Sequence, residues 1–188
     1  MKRTPHHAAL ASFLLVGASL SSVGCSHAVQ PTAVPALEGH RDLALSGSVL
    51  DVVSVETDST DFLLYESARH GKFVGNRKRW CDAVVTALSG ELSKRGAKIL
   101  PGAATRVMLR LPEITGRSGY MAIGFRAKAV VASAAGWTKT YEGQASSSEM
   151  GTTFETRASR AASSTVAELV KAMFADPEFT CQVKGAKP

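Results

Sequence analysis

Apolar and polar positions alternate along this chain in several distinct regimes. MKRTPHH carries Lys2 and Arg3 and no acid, and leads into an apolar run, Ala8 to Leu20. As a helix at about 1.5 Å per residue this run would span about 20 Å, short of the roughly 30 Å hydrocarbon core, so it reads as a signal peptide and not as a permanent span. SHAVQPTAVPALEGH then shows two prolines and no sustained periodicity, which predicts a tether. Residues 48–57, SVLDVVSVET, are β-branched and partly alternating and read as a strand. DFLLYES fits either a short strand or a turn of helix, and ARHGKFVGNRKR, with its glycines, reads as a mobile loop.

From about Asn76 to Arg95, Cys81, Val84, Val85, Leu88 and Leu92 recur at helical spacing, with Asn76 as N-cap and Gly96 after the last turn. ATRVMLRLPEIT puts Val107, Leu109 and Leu111 on one side and Arg106 and Arg110 on the other. YMAIGFRAKAVVASAAGWTKTYEGQASS reads as two strands joined near Ala135-Gly136, with Met121, Ile123 and Phe125 alternating against Arg126 and Lys128. A final helix is expected over 157–175, with Ala162, Val166, Leu169, Val170 and Met173 inward. The order β-α-β-β-β-α predicts an α+β fold, a mostly antiparallel sheet of about four strands with two helices on one face. The expected organisation is a signal peptide over 1–24, a tether over 25–45 and one domain over 46–188.

The formal net charge of the 188 residues is +6, and loss of Lys2 and Arg3 with the leader leaves 20 basic residues against 16 acidic ones. So small an excess does not point to nucleic acid, although it is compatible with an anionic lipid surface. Arg69, Lys72, Arg77, Lys78 and Arg79 gather the positive charge, and the last three oppose the dipole of the helix they begin. They are the candidate contacts for an anionic ligand or an acidic partner, against the plainer reading of a solvated surface.

Cys81 and Cys181 remain beyond the leader. In an oxidising compartment they form a candidate disulfide, and the alternative is two separate thiols, Cys81 packing as a small hydrophobe on its helical stripe. The pairing fails if the two helices run in the same direction, because the cysteines then lie at opposite ends of the layer. No catalytic or metal-binding motif is present: His27, His40 and His70 are the only histidines past the leader, and C-x-x-C, H-x-x-x-H, G-x-S-x-G and phosphate-loop patterns are missing from the sequence. Asp58 and Asp61 in TDSTD read as turn residues, not a calcium loop. Trp80 and Trp137 read as core-edge or interfacial groups. No cofactor is expected.

The stretch SSVGCSH, with small residues directly before Cys25, resembles the lipobox of bacterial lipoproteins, with Ser22 where leucine is usual. The resemblance implies that Cys25 is lipidated and becomes the first residue, and that Ser26 directs the protein to the outer membrane. The competing reading is ordinary secretory cleavage after Ser26-His27-Ala28, releasing a soluble periplasmic protein. Farther on, WCDAVVTALSGELSKRGAKIL, TRVMLRLPEIT, FRAKAVVASAAGWTKTYEGQASS and RAASSTVAELVKAMF resemble small outer-membrane lipoproteins, namely those of lipopolysaccharide assembly and the auxiliary lipoproteins of ABC transporters. That resemblance implies a non-enzymatic component of an envelope protein complex. A periplasmic carrier of lipid or another small ligand is the alternative.

Overall fold

A computed structural model describes residues 26–37, 44–67, 71–119 and 122–185. Residues 1–25, with Cys25, and His40, Arg69, His70 and Met121 therefore lie outside the described residues.

The main sheet has five strands in the order β5-β2-β6-β7-β8: β2 (Val49–Ser54), β5 (Lys98–Ile99), β6 (Thr105–Ser118), β7 (Ile123–Ser133) and β8 (Thr138–Ser147). The last three form the expected meander, paired antiparallel. β2 joins the other edge of β6 in parallel, Leu50 opposite Thr105 through Ser54 opposite Leu109, and β5 pairs with β2 in parallel as well. The β6–β7 register shifts between Arg110 and Glu113. Pro112, which has no N–H to give a ladder, sits in this irregularity. The extra residue moves the inward series from Val107, Leu109 and Leu111 to Ile114.

A second sheet, order β1-β4-β3, is made by β1 (Ser26–Ala28), β3 (Asp61–Ser67) and β4 (Gly71–Asn76). β3 and β4 are antiparallel, and β1 adds in parallel, with Ser26 opposite Lys72 and Ala28 opposite Val74. The fold is thus α+β with two mixed sheets, which corrects the expected single, mostly antiparallel sheet of about four strands. Parallel pairing between segments far apart in sequence leaves no hairpin signal to read.

α1 (Arg77–Lys94) and α2 (Phe154–Phe174) cover one face of the five-stranded sheet, and a short α3 (Pro177–Lys184) follows. Asn76 caps α1 by accepting from the Arg79 amide at 3.1 Å, and Gly96 follows the last turn at φ +92°. Thr153 caps α2, accepting from the Thr156 amide at 3.2 Å, and Asp176 caps α3 ahead of Pro177. The layer between helices and sheet is filled by Trp80, Leu88, Leu92, Leu109, Phe125 and Leu169, all essentially without exposure. None of the described helices is long and apolar enough to cross a membrane.

Candidate functional site

Of the stretch read as a tether, residues 26–37 are part of the folded body. After β1, the chain continues along the groove between α1 and α2. His27 stacks on Phe73 with centroids 5.0 Å apart, and its Nδ1 lies 3.2 Å from Glu155 Oε1 at the start of α2. Val29 is buried, and its carbonyl accepts from Trp80 Nε1 at 3.0 Å. The Thr32 amide donates to Ser163 Oγ at 3.1 Å, and the Leu37 amide donates to Glu91 Oε1 at 3.4 Å. Glu91 in turn accepts from Lys94 at 2.8 Å and from Arg95 at 2.7 Å. Burial alone would push the Glu91 carboxyl up, but the bonds from Arg95, Lys94 and the Leu37 amide hold it below the usual carboxylate range. His27, Thr32 and Glu91 carry no motif. The one signal in the sequence is the apolar series Val29, Val34 and Leu37, which a solvated tether would not need.

These contacts also fix the direction of the helices. Moving from Val29 to Leu37 the chain passes Trp80 and then Glu91, and moving from His27 to Thr32 it passes Glu155 and then Ser163. α1 and α2 therefore run the same way. The candidate disulfide fails for this reason, and Cys81 and Cys181 are free. Cys81, under the sheet near the start of α1, donates to the Leu109 carbonyl at 3.4 Å, and burial raises its thiol pKa to about 11. Cys181 lies past the far end of α2, beside Trp137.

The four described basic residues, Lys72, Arg77, Lys78 and Arg79, do not form one loop. The segment 71–76 is strand β4, with Lys72 at its start and Arg77–Arg79 in the first turn of the helix beyond its other end, about 17 Å away at 3.3 Å per residue. Lys72 is exposed and stands 3.9 Å from Glu66. Arg77 lies over the Phe62 ring at 5.4 Å, Lys78 pairs with Asp82 at 2.7 Å, and Arg79 is exposed. The conflict with the helix dipole is thereby softened by a nearby carboxylate. Asp58 forms the expected turn, accepting from the Thr60 amide at 2.9 Å and from its hydroxyl at 2.6 Å.

The described surface includes the following clefts. One of about 160 Å³ is bounded by Val34 and Leu37, by Ala87 and Glu91 of α1 and by Ala167 and Val170 of α2. Another, of about 380 Å³, lies between Trp137 and the Pro177, Cys181 and Gln182 side of α3. Next to it, Tyr141 donates to the Asp176 carboxylate, which Lys139 also meets at 3.0 Å. Burial and that carboxylate together raise the Tyr141 pKa, and it stays a neutral donor. Among the described residues there is no group of three or more His, Cys, Asp or Glu placed to hold a metal ion.

No family model matches the chain, and neither does any curated protein. Solved structures similar to it include three lipoprotein or uncharacterised-family chains. A candidate lipoprotein from Caulobacter crescentus CB15 is 12% identical, covering 74% of this chain and 93% of its own, at a TM-score of 0.47. A minor lipoprotein from Acinetobacter baumannii is 16% identical, covering 75% and 97%, at 0.41. A Xanthomonas campestris protein of family DUF330 is 12% identical, covering 80% and 95%, at 0.44. At these scores no residue role transfers, and the architecture rests on the registers above. Two of the three names speak of lipoproteins and none of lipopolysaccharide assembly, so the finer resemblance stays with the sequence alone.

Proposed function

We infer that the chain is a lipid-anchored protein of the bacterial envelope, held through Cys25 and acting as a non-enzymatic interaction component of an outer-membrane assembly or transport complex. The observation that carries this reading is the position of β1. Its first residue, Ser26, directly follows the Gly24-Cys25 of the lipobox-like stretch, so cleavage before Cys25 would leave the folded body whole. Ordinary secretory cleavage after Ala28 would instead cut away a paired strand, together with the His27 contacts to Phe73 and Glu155.

The way the charged side chains are used supports a non-enzymatic role. Arg106 with Asp51, Arg126 with Glu142, Lys128 with Glu113 and Lys139 with Asp176 all join neighbouring elements. The carrier alternative needs a chamber between sheet and helices, and that layer is packed with side chains. The names of the Caulobacter and Acinetobacter structures agree with a lipoprotein.

Cys25→Ala is expected to move the protein from the membrane fraction to the soluble periplasm and to remove fatty-acid labelling. A wild-type protein that is already soluble and begins at Val29 would overturn the anchor. Affinity purification from solubilised envelopes is expected to recover a stoichiometric membrane protein, whereas a copurifying lipid without protein would favour the carrier.

A further inference from the structure

We propose that the end of the molecule around the start of β1 rests directly against the lipid headgroups, with the Trp137 end pointing away from the membrane. This deepens the anchoring reading and rests on it. A lipoprotein is usually pictured as a domain on a slack tether, and here the chain leaves almost no slack. Consecutive Cα atoms are about 3.8 Å apart, so Ser26 lies one residue step from Cys25. Acyl chains on Cys25 would start at the boundary of the hydrocarbon, and the headgroup layer is about 5–7 Å thick on each side. Ser26 is therefore within or against the headgroups, and from Ser26 onward the backbone is fixed by its register with β4.

That register determines what else meets the bilayer. Ser26 is opposite Lys72, whose exposed ammonium is then at the height of the lipid phosphates, with Glu66 3.9 Å from it. Ser67 and Gly71, the paired ends of β3 and β4, lie on the same side. His27 ties this edge to Glu155 in the first turn of α2. Just before that turn stands Met150, which at 77% has the greatest exposure among the large apolar side chains described. Glu149 beside it pairs with Arg160. A solvated methionine serves no packing role, whereas its flexible thioether can enter the headgroup–acyl boundary. β8 then separates Met150 from the hairpin at Ala135 by about 30 Å at 3.3 Å per residue. The cleft at Trp137 and Cys181 thus faces away from the anchoring leaflet.

The test uses the full-length, lipidated protein in vesicles that contain a nickel-chelating lipid. Spin labels are placed at Met150→Cys or Ala135→Cys in a Cys181→Ser background, both sites being exposed. Relaxation enhancement by nickel is expected to be several-fold greater at position 150 than at 135. Inserting about ten Gly/Ser residues after Cys25, beginning with Ser, adds a chain of about 17 Å r.m.s. length and should reduce the signal at 150 to that at 135. Equal, weak signals in a membrane-bound protein would overturn the proposal while leaving the anchor intact. A soluble protein beginning at Val29 would overturn both.

Discussion

The meander of the large sheet and the N-terminal edge of the small one are built on opposite principles, although β2 also joins β6 in parallel and β3 pairs locally with β4. In the five-stranded sheet, β6, β7 and β8 follow one another in the chain and pair as a meander, Val107 meeting Ser133 and Ala132 meeting Thr138. In the three-stranded sheet, the N-terminal strand joins in parallel to a strand about 45 residues later, and the docking is completed by α2 from the far end of the chain. Local pairing is quick to form and keeps its register through the turn, whereas the remote pairing needs the rest of the fold to be in place first. The large sheet is therefore the framework, and the small sheet is where the N-terminus is held.

Substitutions can separate the two. Trp80→Ala should cost the most, about 4 kcal/mol, because Trp80 belongs to both regions: it meets the Phe125 ring at 5.6 Å and donates to Val29. Chemical denaturation is expected to show one cooperative transition at a lower midpoint, and a second, separate transition would mean that the sheets unfold independently. Gly143→Ala strikes the framework at its contact with α2, which also holds the N-terminal segment. A Cβ there would stand 2.6 Å from the Thr165 carbonyl and 2.7 Å from the Leu169 amide nitrogen, so α2 must move off β8, at about 2–3 kcal/mol. Loss of thermal stability with unchanged protection of β1 and β4 would contradict the coupling of α2 to both.

A chain beginning at Val29 tests the small sheet. Loss of the β1 ladder and the His27 contacts is expected to cost about 2 kcal/mol and to speed hydrogen exchange across Gly71–Asn76, while β7 exchanges as before. The smallest effect is that of Glu91→Gln, about 1 kcal/mol near neutral pH. Because the folded carboxyl sits below its ordinary 4.5, its contribution is complete above that value and disappears as pH falls through the lowered one. Melting curves of wild type and variant should differ at pH 7 and converge in acid.

The same contrast explains what could be read from the chain. The stripe of α1, its Asn76 cap, the meander and α2 are written in local periodicity. β4 was hidden because Gly71, Lys72 and Gly75 look like a loop. In the fold, a Cβ at Gly75 would stand 2.8 Å from Leu64 Cδ1, so the Leu64 side chain would have to shift. β1 has three residues and a partner far away, and α3 has eight residues opened by a proline that reads as a helix stop. The basic residues were visible as a cluster in one dimension, and a strand separated them in three. The direction of α2 relative to α1, which decides the fate of Cys81 and Cys181, depends on connections that no local pattern encodes.

The groove that receives the N-terminal segment also carries information about time. One wall is α1, and the other is supplied by residues such as Ser163, 131 positions beyond Thr32. A chain entering a compartment from its N-terminus has no such groove until its last third has arrived. Until then residues 26–37 can rest only on β4 and α1, through the β1–β4 ladder, Trp80 and Glu91. Once α2 docks, the same residues are clamped. Late completion of the second wall thus leaves this segment half-held until α2 docks, and a chain stopped before Phe154 is expected to be cut by protease within residues 29–37 faster than the whole protein.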